Sequence, residues 1–387
     1  MEDRILVTDA EQRKSVPIVR ALGRHGLRVV CGESSRWSMG FYSRYCAERY
    51  VYPKPEDEEQ FVEWLIQKAK ERAFNILFPI DERTMNPVTK HLSELKKYLH
   101  VPVVEYPTYM IARDKWQTAG VAQKVGIPAP KTWCFFSIDE MHDKKNEVEF
   151  PCVIKPRSST GSRGIRYVST PKDFDRCYHE VHRAYPFPLV QEFLPPGGDT
   201  FGVEMLVDHG NVVAHFMHRR LREFPVQGGP STLRESVYDK ELVQKAERLL
   251  TSIGWHGVAM VEFKVDPRDG IFKLMEINPK FWGSIALAIA AGVDFPVLLY
   301  RLVKGEKIEA RPPYRLNVRC RWLLPGDILH FMTNPDRWKL KPSFFDFHGE
   351  FDDLLEKGDL GPVYGMLLGF GSRFFNKQLW TERIFRA

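Results

Sequence analysis

The spacing of apolar residues changes several times along this chain, and each change marks an element. At the amino terminus Arg4-Ile5-Leu6-Val7-Thr8 reads as a short buried strand, and apolar residues at helical spacing predict a helix over 16–25. Gly26 can end that helix, and Leu27-Arg28-Val29-Val30-Cys31 returns as a second strand, giving a βαβ unit. A helix over 58–72 followed by Asn75-Ile76-Leu77-Phe78-Pro79 extends the alternation, as a doubly wound parallel sheet requires. Beyond residue 150 the pattern turns to strands. Phe150-Pro151-Cys152-Val153-Ile154-Lys155 and Leu189-Val190-Gln191-Glu192-Phe193-Leu194 are short apolar runs, and a further strand spans 200–207. Val258 to Val265 and Ile271 to Glu276 flank Asp266-Pro267-Arg268-Asp269-Gly270, whose turn chemistry predicts a β-hairpin.

That hairpin carries the most informative side chains. Strand side chains alternate between faces, so Glu276 and Asn278 share one face, and pairing across the hairpin brings Glu262 beside them. Three oxygen donors in this arrangement suit Mg²⁺ completed by phosphate and water, with Mn²⁺ as an alternative ion. Lys155 ends its strand before Ser158-Ser159-Thr160-Gly161-Ser162-Arg163-Gly164, a loop whose glycines allow close approach to an anion and whose successive N–H groups can cradle phosphate. This loop has neither the P-loop nor the Gly-x-Gly-x-x-Gly spacing. Lys115 opens a helical pattern after Arg113-Asp114. The strand ending at Glu192-Phe193-Leu194 is cut off by Pro195-Pro196, so its last backbone groups can meet a purine edge. Between hinge and hairpin, His218, Arg219 and Arg220 can meet a phosphate or carboxylate, and the loop over 225–232 can close over them. The loop over 9–15 and Asp81-Glu82 follow strand ends of the amino-terminal sheet, where ligands lie in such folds, so they can face a substrate.

Composition narrows the class without deciding it. The 387 residues suffice for two or three domains. Cysteines at 31, 46, 134, 152, 177 and 320 form no Cys-x-x-Cys pair and no zinc spacing, which suits buried thiols in a reducing compartment, and a cytoplasmic location is expected. A net charge of +6 accords with anionic small molecules, and no nucleic-acid motif accompanies it.

Taken in order, Lys115, Lys155 with its Gly-rich loop, the Glu192-Phe193-Leu194 hinge and the closing acid hairpin resemble the ATP-grasp superfamily. The segment Glu276-Ile277-Asn278-Pro279-Lys280 is most similar to carbamoyl-phosphate-synthetase-like enzymes and carboxylate–amine ligases. The resemblance implies an α/β chain, α+β in its central part: a pre-ATP-grasp Rossmann-like domain over 1–104, a small subdomain over 105–190, a catalytic subdomain over 191–310 and a helical carboxyl-terminal extension over 311–387. It assigns ATP phosphates to Lys115, Lys155, Ser158, Gly161, Ser162 and Gly164, adenine to Glu192, Phe193 and Leu194, and ribose to Asp199 or Glu204. It assigns magnesium to Glu262, Glu276 and Asn278, and transition-state charge to Arg219, Arg220 and Lys280. Relatives commonly carry arginine at the last position, and lysine keeps the charge while losing two-point geometry.

The activity implied is activation of a carboxylate as an acyl phosphate for attack by an amine. Bicarbonate activation and a non-catalytic ATP-binding module are the alternatives. The expected partners are small-molecule carboxylates and amines, with no nucleic acid, and a homodimer is the commonest oligomer. The tail from Met366 to Arg386 is crowded with aromatic, leucine and basic residues, and its apolar residues lie around much of the helical circumference. It is expected to pack on the body of the protein rather than touch a membrane.

Overall fold

A computed structural model describes residues 2–158, 164–226, 228–308 and 313–374. The amino-terminal sheet consists of β1 (Arg4–Val7), β2 (Arg28–Glu33), β3 (Cys46–Val51) and β4 (Ile76–Phe78), all parallel in the order β3-β2-β1-β4. Alternation along β1 sends Ile5 and Val7 into a core shared with Ile18, Val19 and Leu22 of the helix Ser15–Arg24. Leu6 enters the opposite core with Phe61 and Leu65 of the helix Glu58–Lys70. Helices thus cover both faces, as the sequence predicts.

A small antiparallel sheet follows: β5 (Thr132–Cys134), β6 (Cys152–Lys155), β7 (Arg166–Val168) and β8 (Leu189–Glu192), in the order β5-β8-β6-β7. Its own core, including Phe135, Ile154, Phe174, Tyr178 and Val190, is separate from the other two. Because β8 runs through Glu192, the small sheet ends two residues beyond the boundary expected at 190.

The large sheet has seven strands in the order β13-β12-β9-β10-β11-β14-β15. These are β9 (Thr200–Asp208), β10 (Asn211–Glu223), β11 (Ser231–Ser236), β12 (Gly257–Val265), β13 (Phe272–Asn278), β14 (Arg319–Arg321) and β15 (Glu350–Asp352). The last two come from the carboxyl-terminal extension, which therefore adds a sheet edge as well as helices. Val203 and Met205 of β9 face one core and Leu206 the other, so the large sheet is fused to the amino-terminal domain through both of its faces. The last described element of the extension is the helix Gly361–Phe374, which packs on the turn Met39–Tyr42. A Cβ at Gly365 would fall 2.6 Å from the Tyr42 ring, so the absence of a side chain there sets how closely the two segments approach. The expected packing holds along this side only, because Leu367 and Phe370 are exposed.

Candidate active site

Two lysines are brought together by capping and strand pairing. Asp114 caps the helix Lys115–Lys124, accepting from the Trp116 amide at 3.0 Å, and the Arg157 guanidinium holds the same carboxylate. The Lys115 amide donates to the Arg157 carbonyl at 3.0 Å, which sets the start of this helix beside the end of β6. Lys155, buried at that strand end, donates through Nζ to Gln191 Oε1 on β8 at 2.7 Å. Burial and the neighbouring Lys115 charge lower its pKa to about 8, against the opposing pull of Glu276 and Glu262.

The hairpin forms as expected. β12 and β13 pair with Glu262 opposite Glu276 and Met260 opposite Asn278, a bulge following Glu262. The turn closes through the Asp266 amide on the Ile271 carbonyl and the Gly270 amide on the Asp266 carbonyl, with Gly270 at φ 73°. Lys115 Nζ lies 3.1 Å from Glu276 Oε2, joining the small subdomain's entry helix to the hairpin. Burial opposes ionisation of Glu276, but Lys115 and Lys155 hold its pKa below the ordinary value. Burial pushes the Glu262 pKa up, Glu276 adds to that rise, and its ion-pair partner Arg220 counters it. Glu262 and Glu276 on one face, with Asn278 alongside, form an oxygen donor set that fits Mg²⁺.

The hinge differs from its expected form in one respect. The Glu192 amide donates to the Lys131 carbonyl at 2.8 Å and the Phe193 amide to the Pro151 carbonyl at 3.3 Å, so both are used within the protein. The Glu192 carboxylate pairs with Arg268 and lies 3.8 Å from Lys273, both in the hairpin. The Leu194 carbonyl receives Lys264 Nζ, from a strand of the large sheet, at 3.5 Å. Lys264 escaped the sequence reading. Its signal is simple alternation, two residues beyond Glu262. Gln191, which holds Lys155, was also missed.

Several other expected residues are relocated by the sheet. Glu204 lies in the middle of a central strand, fully buried, accepting from His218 at 2.5 Å and from Ser284 at 3.4 Å. Its carboxylate is thus engaged within the protein interior. Asp199 is exposed and pairs with Arg219 at 3.2 Å. Arg219 and Arg220 cannot both face the hairpin acids, because they are consecutive in β10. Arg220 shares the face of Glu262 and pairs with it, while Arg219 pairs with Glu235 on the opposite face, in register with Phe201. Arg219 therefore lies on the face away from the hairpin acids. Arg220 also donates to the Gly229 carbonyl at 3.4 Å, tying the loop after β10 to the site. Ser158 is half-buried and Gly164 adopts φ 74°, whereas Gly161 and Ser162 lie outside the described residues.

The amino-terminal loops do reach the hairpin. Lys14 Nζ lies 2.6 Å from Asp81 Oδ2 and donates to the Phe281 carbonyl at 3.0 Å, three residues beyond Asn278. Lys280 is buried 3.7 Å from Glu82. Asp9, at φ 52°, is buried and accepts from Thr8, Thr84 and the Asp81 amide. Burial, with Asp81 and Glu33 nearby, raises its pKa to about 6.

Lys155 at the end of a small-sheet strand and Lys115 at the start of the adjoining helix thus face the carboxylate hairpin of the larger sheet. Residues 185–324 match the family described as ATP-grasp in the biosynthetic pathway with Ter operon. It is similar to a D-aspartate ligase of Enterococcus faecium, 25% identical over 286 residues, which cover 68% of this chain and 66% of that ligase. Among solved structures it resembles a biotin carboxylase–β-γ-ATP complex from Campylobacter jejuni, with a TM-score of 0.68 and 17% identity, covering 82% of this chain and 74% of that one. An L-amino acid ligase from Bacillus licheniformis gives a TM-score of 0.61 and 18% identity, covering 80% and 78%. These likenesses establish the ATP-grasp fold.

Proposed function

We propose that this chain is an ATP- and Mg²⁺-dependent ligase that joins a carboxylate to an amine through an acyl phosphate. The observation that carries the reading is the meeting of Lys115 and Lys155 with Glu276, a cation–anion junction between the two halves of a nucleotide-binding fold. In the first step a carboxylate oxygen attacks the γ-phosphorus of ATP and ADP leaves. In the second the amine nitrogen attacks the acyl carbon, the C–O bond to phosphate breaks, and the nitrogen gives up a proton.

Neither step needs a covalent enzyme nucleophile, so the residues work by positioning and charge. Lys155 and Lys115 would neutralise phosphate oxygens, and Leu194 and Lys264 would border the adenine. Glu262, Glu276 and Asn278 would hold Mg²⁺, which, when bound, neutralises charge on the transferring phosphoryl group. Arg220 lies on the same face as these ligands and would follow the negative charge as it moves to the leaving oxygen. Lys14 and Lys280, where the amino-terminal loops meet the hairpin's exit, would receive the acceptor's carboxylate.

The test is phosphate release by purified protein with ATP, Mg²⁺ and paired panels of carboxylates and amines, beginning with D-aspartate and L-amino acids, the substrates named in its relatives. Release that requires both partners is expected. Hydrolysis indifferent to every pair would contradict the reading, and labelled bicarbonate entering the product would move it to bicarbonate activation.

A further inference from the structure

The turn between β9 and β10 sets three metal-binding side chains together at the end of the large sheet away from Glu262. Asp208 ends β9, His209 and Gly210 form the turn, and His256 directly precedes β12. The Gly210 amide donates to the Trp255 carbonyl at 2.8 Å and Thr251 Oγ1 to the Gly210 carbonyl at 3.1 Å, so the turn is clamped beside His256. Asp208 Oδ1 lies 3.5 Å from His256 Nδ1 and 4.0 Å from His209 Nε2, and one donor atom from each residue falls within 4.8 Å of the other two.

Two features of the cluster call for a cation. His256 Nδ1 accepts the His209 amide at 3.4 Å, so this nitrogen carries a lone pair rather than a proton. Burial and the neighbouring His209 lower the His256 pKa to about 4, which keeps the ring neutral at physiological pH. A lone pair and a carboxylate oxygen this close repel unless a positive ion joins them, and the nearby Lys96 is already paired with Glu105 at 2.9 Å. The second feature is the backbone. His209 has φ 43° in a two-residue turn that asparagine or glycine fits with less strain, and the strained position sets its imidazole against His256, ring centroids 4.1 Å apart. Ligands of a tetrahedral Zn²⁺ stand about 3.3 Å from one another. Asp208 and His256 nearly hold that spacing, and His209, 80% exposed, reaches it by turning out of the stack.

We propose that Asp208, His209 and His256 bind a divalent transition ion of the zinc class, with water completing the shell. Two imidazoles favour such an ion over Mg²⁺, which suits an all-oxygen set. Gly202, the partner of Glu262 in β9, lies about 20 Å along the strand from Asp208, so the ion ties the turn to the start of β12 and stands apart from the phosphoryl chemistry.

The test is calorimetric titration of the untagged, EDTA-treated full chain with Zn²⁺ at neutral pH in excess Mg²⁺, alongside His209→Asn, His256→Gln and Glu276→Gln. Asparagine suits the turn and glutamine keeps an acceptor for the His209 amide, so both histidine variants should melt with wild type in EDTA. Wild type is expected to bind one Zn²⁺ per chain, Glu276→Gln to bind it equally well, and each histidine variant to bind it at least about tenfold more weakly. Absence of stoichiometric binding, or histidine variants that bind as wild type does, would overturn the proposal. Loss of zinc binding in Glu276→Gln would also overturn it, placing the ion at the β12–β13 acids.

Discussion

At the carboxyl-terminal clasp, Arg20 meets Asp359, Arg222 meets Asp327 and Arg234 meets Asp353, each on side chains no more than 2% exposed. At the hairpin, Lys115 and Glu276 are 11% and 29% exposed, and Arg220 and Glu262 are 19% and 14%. Both regions hold cations against carboxylates away from bulk water. Only the second leaves its groups reachable by a ligand that could replace one partner with another. A sealed pair holds distant segments in place, and its loss is a loss of fold because the remaining charge stays buried. A pair at an open site is a reserve of charge, and its loss is a loss of chemistry.

Substitutions should separate the two regions cleanly. The largest effect is expected from Asp327→Ala, since this fully buried carboxylate receives Arg222 at 2.7 Å, Arg321 at 3.2 Å and Thr232 at 2.8 Å. Its removal should cost about 3–5 kcal/mol in denaturant unfolding while turnover per folded molecule is retained. A sharp fall in turnover with stability intact would erase the distinction. Glu276→Gln should do the reverse, lowering turnover by about 10²–10³-fold with an unchanged melting temperature. Near-normal turnover at limiting Mg²⁺ would remove Glu276 from the site.

Lys155→Ala is expected to weaken ATP binding by about 1.5–3 kcal/mol, the scale of a hydrogen bond to a charged group. Calorimetric titration measures this, and unchanged affinity would relocate the phosphates. Its pKa of about 8 adds a pH signature: wild-type ATP affinity should decline as pH rises through that value and the lysine loses its proton, and the alanine variant should lack this dependence. The folded-state value lies below that of an unfolded lysine, so this residue's contribution to stability grows between about 8 and the ordinary lysine value of 10.5.

The smallest effect belongs to Asp9→Asn. Asparagine tolerates the left-handed backbone at φ 52° and keeps an acceptor for Thr8, Thr84 and the Asp81 amide. A pKa raised from 3.8 to about 6 means that the Asp9 contribution is fully present below 3.8 and is lost as pH rises through about 6. The variant avoids that loss, so at neutral pH its melting temperature should exceed wild type by about 2–4 °C, with the gain absent in acid. A gain that persists in acid would show that the ionised carboxylate is not its source.

Much of the site could be read from local pattern. Glu262 opposite Glu276 followed from two alternating runs and one turn, and the place of Lys155 from an apolar run ending in a Gly/Ser loop. The failures arose where the answer lay across the sheet. Arg219 and Arg220 look equivalent in sequence, and only the pairing of β10 with β9 and β11 decides which one meets Glu262. Glu204 sits in a strand like Glu262, but its position midway along a central strand seals it beneath His218. The clasp was invisible for the same reason. Arg20 and Asp359 are 339 residues apart, and nothing near either predicts the other.

The most direct test of the central claim follows an oxygen atom. If the carboxylate is activated as an acyl phosphate, attack of the amine at carbon leaves the bridging oxygen on phosphorus. A carboxylate substrate labelled with ¹⁸O should therefore deliver one labelled oxygen to each phosphate released in step with product. Product formation with unlabelled phosphate would contradict the account.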